Sequence, residues 1–77
     1  MQIYIGNLSE MTTVRHLSDL FLPFGSVRFP KIASDERTGR SLRFGSIEME
    51  ANCARMAIKI LNRCLFMNSY VEVKEKR

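Results

Sequence analysis

Ten residues from Arg40 to Met49, RSLRFGSIEM, set the terms on which this chain can fold. Counted from Leu42, one parity carries Leu42, Phe44, Ser46 and Glu48, and the other carries Arg43, Gly45, Ile47 and Met49. Successive side chains of a strand point to opposite faces. As a strand, this segment sends Ile47 and Met49 into a core and holds Phe44 and Glu48 on the far side. A phenylalanine facing away from the core is more telling than one inside it. It implies a sheet with one covered face and one open face that presents an aromatic ring.

A second segment alternates in the same way. In Ile3-Tyr4-Ile5-Gly6-Asn7-Leu8, the two isoleucines share one face and Tyr4 takes the other. If the two strands pair, Tyr4 and Phe44 lie on one sheet face, with the strands about 5 Å apart. Flat rings held out together are a surface on which unstacked bases lie.

On these residues the chain resembles the RNA recognition motif family. IYIGNL matches the family's hexamer at every position, and Leu42–Met49, preceded by Thr38-Gly39-Arg40-Ser41, is similar to its octamer. The resemblance covers essentially the whole chain. It implies one domain over residues 1–77 with the order βαββαβ. The fold class expected is α+β: a ferredoxin-like sandwich with a four-stranded antiparallel sheet, order 4-1-3-2, and both helices on one face. Starting at Met1 with the first strand under way resembles the short single-domain proteins that bacteria carry in this family.

The rest of the chain fits that frame. Thr13 is the N-cap expected for a first helix, whose Val14, Leu17, Leu20, Phe21 and Phe24 form a single apolar stripe. Pro23 and Gly25 close it. Val27–Ala33 reads as the second strand, and Pro30 inside it cannot donate to a ladder. That strand therefore belongs at a sheet edge or carries a bulge, and the order 4-1-3-2 puts it at an edge without reference to the motifs. Ser34–Ser41 is a polar hairpin loop. Ala51–Asn62 reads as the second helix, with Ala54, Ala57, Ile58 and Leu61 facing the sheet. Arg63–Asn68 reads as a loop whose Leu65 and Phe66 tuck against the core. Ser69–Val73 reads as the last strand, with Val71 and Val73 inward and Tyr70, Glu72 and Lys74 on the open face.

The resemblance implies single-stranded RNA as the partner and a set of contacts for it. Tyr4 stacks on a base, and Phe44 lies near the sugar or backbone between two nucleotides. Asn7 ends the first strand, with its amide offered either to a base edge or to a turn. Three positions depart from the family pattern. Ser46 stands where a second stacking aromatic is usual, and one lost platform of about 1–3 kcal/mol lowers affinity roughly 5- to 150-fold. Leu42 replaces a basic residue that meets phosphate, and Arg43 replaces a glycine. Arg43 takes over the lost charge only if the strand start is twisted or bulged. Glu72 adds an acid beside Tyr4.

Phe29 and Tyr70 are the candidate replacement platforms. Pro30 leaves Phe29 open between the exposed face, beside Ser46, and the core; the exposed face is the expectation taken forward. Lys31, Arg40, Arg43, Lys74 and Lys76 are the expected phosphate contacts. Arg37, Arg40 and Arg43 cluster near one loop and Lys74, Lys76 and Arg77 at the C-terminus, within a net charge of +4.

Other functions find little foothold. No phosphate-cradling loop, CxxC, HExxH or GxSxG motif occurs. His16, the only histidine, reads as a solvent-facing helical residue, and Cys53 and Cys64 as reduced, structural thiols. Two carboxylates on an open flat face lack the concave pocket that acid–base chemistry needs. The expectation is a non-enzymatic protein with no metal, no cofactor and no small-molecule ligand. No apolar run approaches 18 residues and no signal peptide precedes Met1, so a soluble cytoplasmic chain is expected. The rival reading uses the same fold to bind a protein partner or a second copy through Tyr4, Leu42, Phe44 and, where it faces out, Phe29.

Overall fold

Each period-two segment has one side to bury, and the computed structural model, which describes residues 1–76, shows how they do so. The chain runs β1 (Gln2–Gly6), α1 (Val14–Phe21), a one-turn 3₁₀ helix (Leu22–Phe24), β2 (Arg28–Ser34), β3 (Ser41–Glu48), α2 (Ala51–Leu61), β4 (Leu65–Phe66), β5 (Ser69–Tyr70) and β6 (Glu72–Glu75). Four strands form one antiparallel sheet in the order β2-β3-β1-β6. This is the expected 4-1-3-2 arrangement, with β6 as the fourth strand. Arg77 lies outside the described residues.

One sheet face is closed. Ile3, Ile5, Ile47 and Val73 from the strands meet Leu17, Phe21, Ala54, Ala57 and Leu61 from the helices in a single buried cluster that also takes in Leu8, Met49 and Val71. Burying a large aliphatic or aromatic side chain stabilises the fold by about 1.5–3 kcal/mol, so this cluster dominates the energetics. The alanines of α2 let its backbone approach the sheet. Val14, expected on the α1 stripe, is instead exposed at the helix start. Among the described residues, no helix is long and apolar enough to cross a membrane.

The caps fix where the helices begin. The Thr13 hydroxyl accepts from the His16 N–H at 3.2 Å, while the Thr13 N–H donates to His16 Nδ1 at 3.1 Å. This reciprocal box gives the lone histidine a structural duty at the surface. At α2 the Glu50 carboxylate accepts from the Cys53 N–H. Hydrogen bonds from the Asn52 and Cys53 amides hold its carboxyl below the usual value. Gly25 leaves the 3₁₀ helix at φ +148°, and a Cβ there would stand 2.9 Å from Cys53 Sγ.

β2 is an edge strand and is also bulged. Arg28 pairs with Glu48 but Lys31 pairs with Ser46, so β2 carries one extra residue around Phe29 and Pro30. A second irregularity lies between Ile32 and Ser34, opposite Leu42–Phe44, where Arg43 adopts φ +67°.

The stretch before β6 departs from expectation. Leu65–Phe66 pairs with Ser69–Tyr70 in a separate two-stranded hairpin. Its turn residues Met67 and Asn68 both have positive φ, +49° and +64°, as a type I′ turn requires. The sheet strand therefore starts at Glu72 rather than Ser69, and Tyr70 is not part of it. Phe66 packs against the core as expected, but Leu65 stays exposed because it lies on the hairpin's outer side.

Candidate nucleic-acid interface

Register decides which side chains meet on the open face. Tyr4 lies opposite Ser46 on β3 and opposite Lys74 on β6, and Ser46 lies opposite Lys31 on β2. A single row, Lys31–Ser46–Tyr4–Lys74, thus crosses the whole sheet, with a lysine at each edge. Phe44 stands two residues from Ser46 on the same side. Its ring centroid is 6.0 Å from that of Tyr4, with 32° between the planes. Phe44 is 40% exposed and Tyr4 is half-buried.

Gly6 makes the posture of Tyr4 possible. The tyrosine ring lies along its own strand over Gly6, where a Cβ would come within 2.5 Å of the phenol oxygen and 2.8 Å of a ring carbon. Any side chain at Gly6 would force the ring to stand up. Lys74 sets the other side, with Nζ 5.2 Å from the Tyr4 centroid in cation–π range. The same ammonium pairs with Glu72 at 3.3 Å, so the acid beside Tyr4 already faces a cation.

The missing ring at Ser46 leaves space. Tyr4, Phe44, Lys31, Gly45 and Ser46 border a hollow of about 250 Å³ in the middle of the face. Phe29 lies on β2, two residues before the Lys31 of that lining. Held at φ +51° by the bulge, it is 69% exposed and lines a smaller hollow with Gln2, Lys31, Ser46 and Glu48. A bulky residue in the left-handed region is strained by about 1–3 kcal/mol. Here the strain keeps an aromatic out of the core. Lys76 borders both hollows.

At the loop end of the sheet, several expected contact residues are engaged by the protein itself. Arg43 is exposed, yet its Nε donates to the Leu8 carbonyl at 2.8 Å, and its own carbonyl accepts from the Leu8 N–H. Arg40 Nε pairs with Glu10 at 3.1 Å. The Asn7 amide donates to the Tyr70 carbonyl at 2.8 Å, which is the turn-fixing alternative of its two sequence readings. Tyr70 is 67% exposed but projects from β5, beyond the β6 edge, and not from the sheet face. Sequence reasoning missed the place of Gly6 under the ring, for which its parity with Tyr4 was the available signal.

Both cysteines are free. A hydrogen bond to Glu50 pushes the Cys53 thiol up, and burial pushes up that of Cys64. Among the described residues, no group of His, Cys, Asp or Glu is placed to hold a metal ion.

Comparison with known proteins places the chain in a family. The family model described as RNA recognition motif matches residues 3–72. A Nostoc protein named "Putative RNA-binding protein RbpE" is 37% identical over all of this chain and 79% of its own length. The similarly named RbpA of Synechocystis is 33% identical, over all of this chain and 77% of its own. The crystal structure of the RNA-binding protein PG1 superposes with a TM-score of 0.96 at 38% identity, covering 99% of this chain and 93% of that one. With the hexamer and octamer on adjacent central strands and the helices behind them, this chain belongs to the RNA recognition motif family.

Proposed function

We propose that this protein binds single-stranded RNA across the open face of its sheet, with weak to moderate affinity and low sequence selectivity. The observation that carries this reading is the pair of outward rings, Tyr4 and Phe44, 6.0 Å apart in a row ended by Lys31 and Lys74. A base lying on Tyr4 gains about 1–3 kcal/mol whatever its identity. Phe44 meets the sugar or backbone of the next nucleotide, and Phe29 adds apolar surface at the β2 side. Lys31, Lys74 and Lys76 supply phosphate contacts that weaken with salt. Arg40 and Arg43 join them only with the parts of their guanidinium groups not held by Glu10 and Leu8. Relatives named as RNA-binding proteins support the same partner. No step in this function calls for a cofactor or a reaction.

The test is an NMR titration of the labelled protein with short mixed-sequence RNAs, at low and physiological salt. Saturating, salt-weakened shifts at Tyr4, Phe44 and Ser46 are expected, and their loss of affinity in Tyr4→Ala. A silent face would overturn the proposal. The second reading, a protein-binding surface, is favoured by the exposure of Leu42, Phe29 and Phe44. It predicts that silence.

A further inference from the structure

The relocation of Tyr70 opens a site that the sheet face does not include. Between β6 and the β4–β5 hairpin lies a hollow of about 500 Å³, lined among others by Asn7, Asn62, Arg63, Tyr70, Glu72 and Lys74. Resting on the RNA reading above, we propose that this hollow holds one further nucleotide of an RNA strand leaving the sheet over β6. Its base lies against Tyr70 and its phosphate meets Arg63.

Five observations converge on that occupant. Tyr70 is 67% exposed, although its strand is anchored, so its ring is displayed and not packed. The Asn7 bond to its carbonyl ties this display to the end of β1, the strand that carries Tyr4. Arg63 is held at φ +67° by the bond from its N–H to the Val71 carbonyl, at 2.7 Å. Among the described residues its guanidinium has no ionic or hydrogen-bond partner, unlike those of Arg28, Arg40, Arg43 and Arg55. An exposed aromatic that lines the same hollow as an uncommitted cation suits an anionic, base-bearing ligand. Continuity is the last point: Lys74 borders this hollow and also lies over the Tyr4 ring. The strand therefore passes from one aromatic to the other along a single lysine.

The competing occupant, a peptide adding itself to the free edge of β6, is disfavoured by Asn62. Its side-chain oxygen accepts from the outward Val73 N–H at 3.0 Å and so closes the start of that edge.

The experiment measures affinity for uridine oligomers of roughly three and roughly eight nucleotides, in wild type, Tyr4→Ala, Tyr70→Ala, Tyr70→Phe, Arg63→Gln and Arg63→Lys. Melting curves check that each variant is folded. The longer oligomer should bind wild type more tightly, and Tyr70→Ala should lose at least about fivefold on it while the short one is unaffected. Tyr70→Phe should retain the gain. Arg63→Gln should lower the slope of log affinity against log salt by about 0.7 for the long oligomer only, and Arg63→Lys should restore it. If long-oligomer binding responds to Tyr4→Ala but to neither Tyr70→Ala nor Arg63→Gln, the hollow is wrong and the sheet-face reading stands. If no oligomer binds wild type, both fall.

Discussion

The middle of the sheet and its loop end both carry residues expected to meet a ligand, and they use them differently. Tyr4, Phe44 and Lys31 in the middle point away from the body of the protein. At the loop end, Arg43, Arg40 and Asn7 reach back to Leu8, Glu10 and Tyr70. The difference lies in where a side chain's best partner is. A ring on the open face of a strand has only its neighbours and solvent to meet, so the backbone alone decides its place. A guanidinium or amide near a chain turn is surrounded by carbonyls and carboxylates, and binds those first. Charge near a binding face is therefore not the same as charge available to a ligand.

The largest effect that would break this contrast is at Tyr4. Tyr4→Ala should weaken RNA binding by about 1–3 kcal/mol and leave the melting temperature nearly unchanged, because the ring is off the core. An unaltered titration would remove the stacking role. Gly6→Ala sharpens the same point without touching the aromatic. Lifting the ring off its strand should cost about 1 kcal/mol of binding, part of the stacking term, and should shift the Tyr4 and Phe44 ring resonances.

Arg43→Gln tests the other end. As a strut to Leu8, Arg43 should be felt in stability, by about 1 kcal/mol, with the salt dependence of RNA binding preserved. A flatter salt slope with unchanged melting would make it a phosphate contact instead. Glu10→Gln releases Arg40 and should tighten binding by only a few tenths of a kcal/mol, and less at high salt.

The smallest effect concerns acid. The amides of Asn52 and Cys53 depress the folded Glu50 pKa below its ordinary value of 4.5. The cap's contribution is therefore fully present above the unfolded value and fades as pH falls through the folded one. The melting-temperature gap between wild type and Glu50→Ala should close across that range; a constant gap would show that the carboxylate charge is not what caps α2.

Much of this was legible in the sequence, for a physical reason. Parity is a property of the backbone, so Ile3, Ile5, Ile47 and Met49 announced the covered face and Tyr4 and Phe44 the bare one. Pro30 announced an edge strand because it lacks an N–H. The illegible parts depend on local backbone choices with weak chemical signatures. The type I′ turn at Met67–Asn68 lacks the glycine that usually advertises it, so the sequence reads as loop and strand where the chain forms the β4–β5 hairpin, and Tyr70 lies on β5 and not on the sheet strand. Phe29 and Arg43 sit in bulges, where an extra residue cancels the alternation that parity relies on. The engagement of Arg40 by Glu10 spans 30 residues of chain and has no local pattern at all.

The bulge and proline of β2 carry a consequence for life at high concentration. An outer strand with an unbroken row of free amides and carbonyls is a template on which a neighbour's outer strand extends the sheet, and repetition of that step leads to fibres. Here Pro30 supplies no donor, and the extra residue beside it throws the remaining groups out of step with any straight partner. The protein can thus leave a broad aromatic plane uncovered for a ligand and still deny its own copies an easy way to zip together along β2.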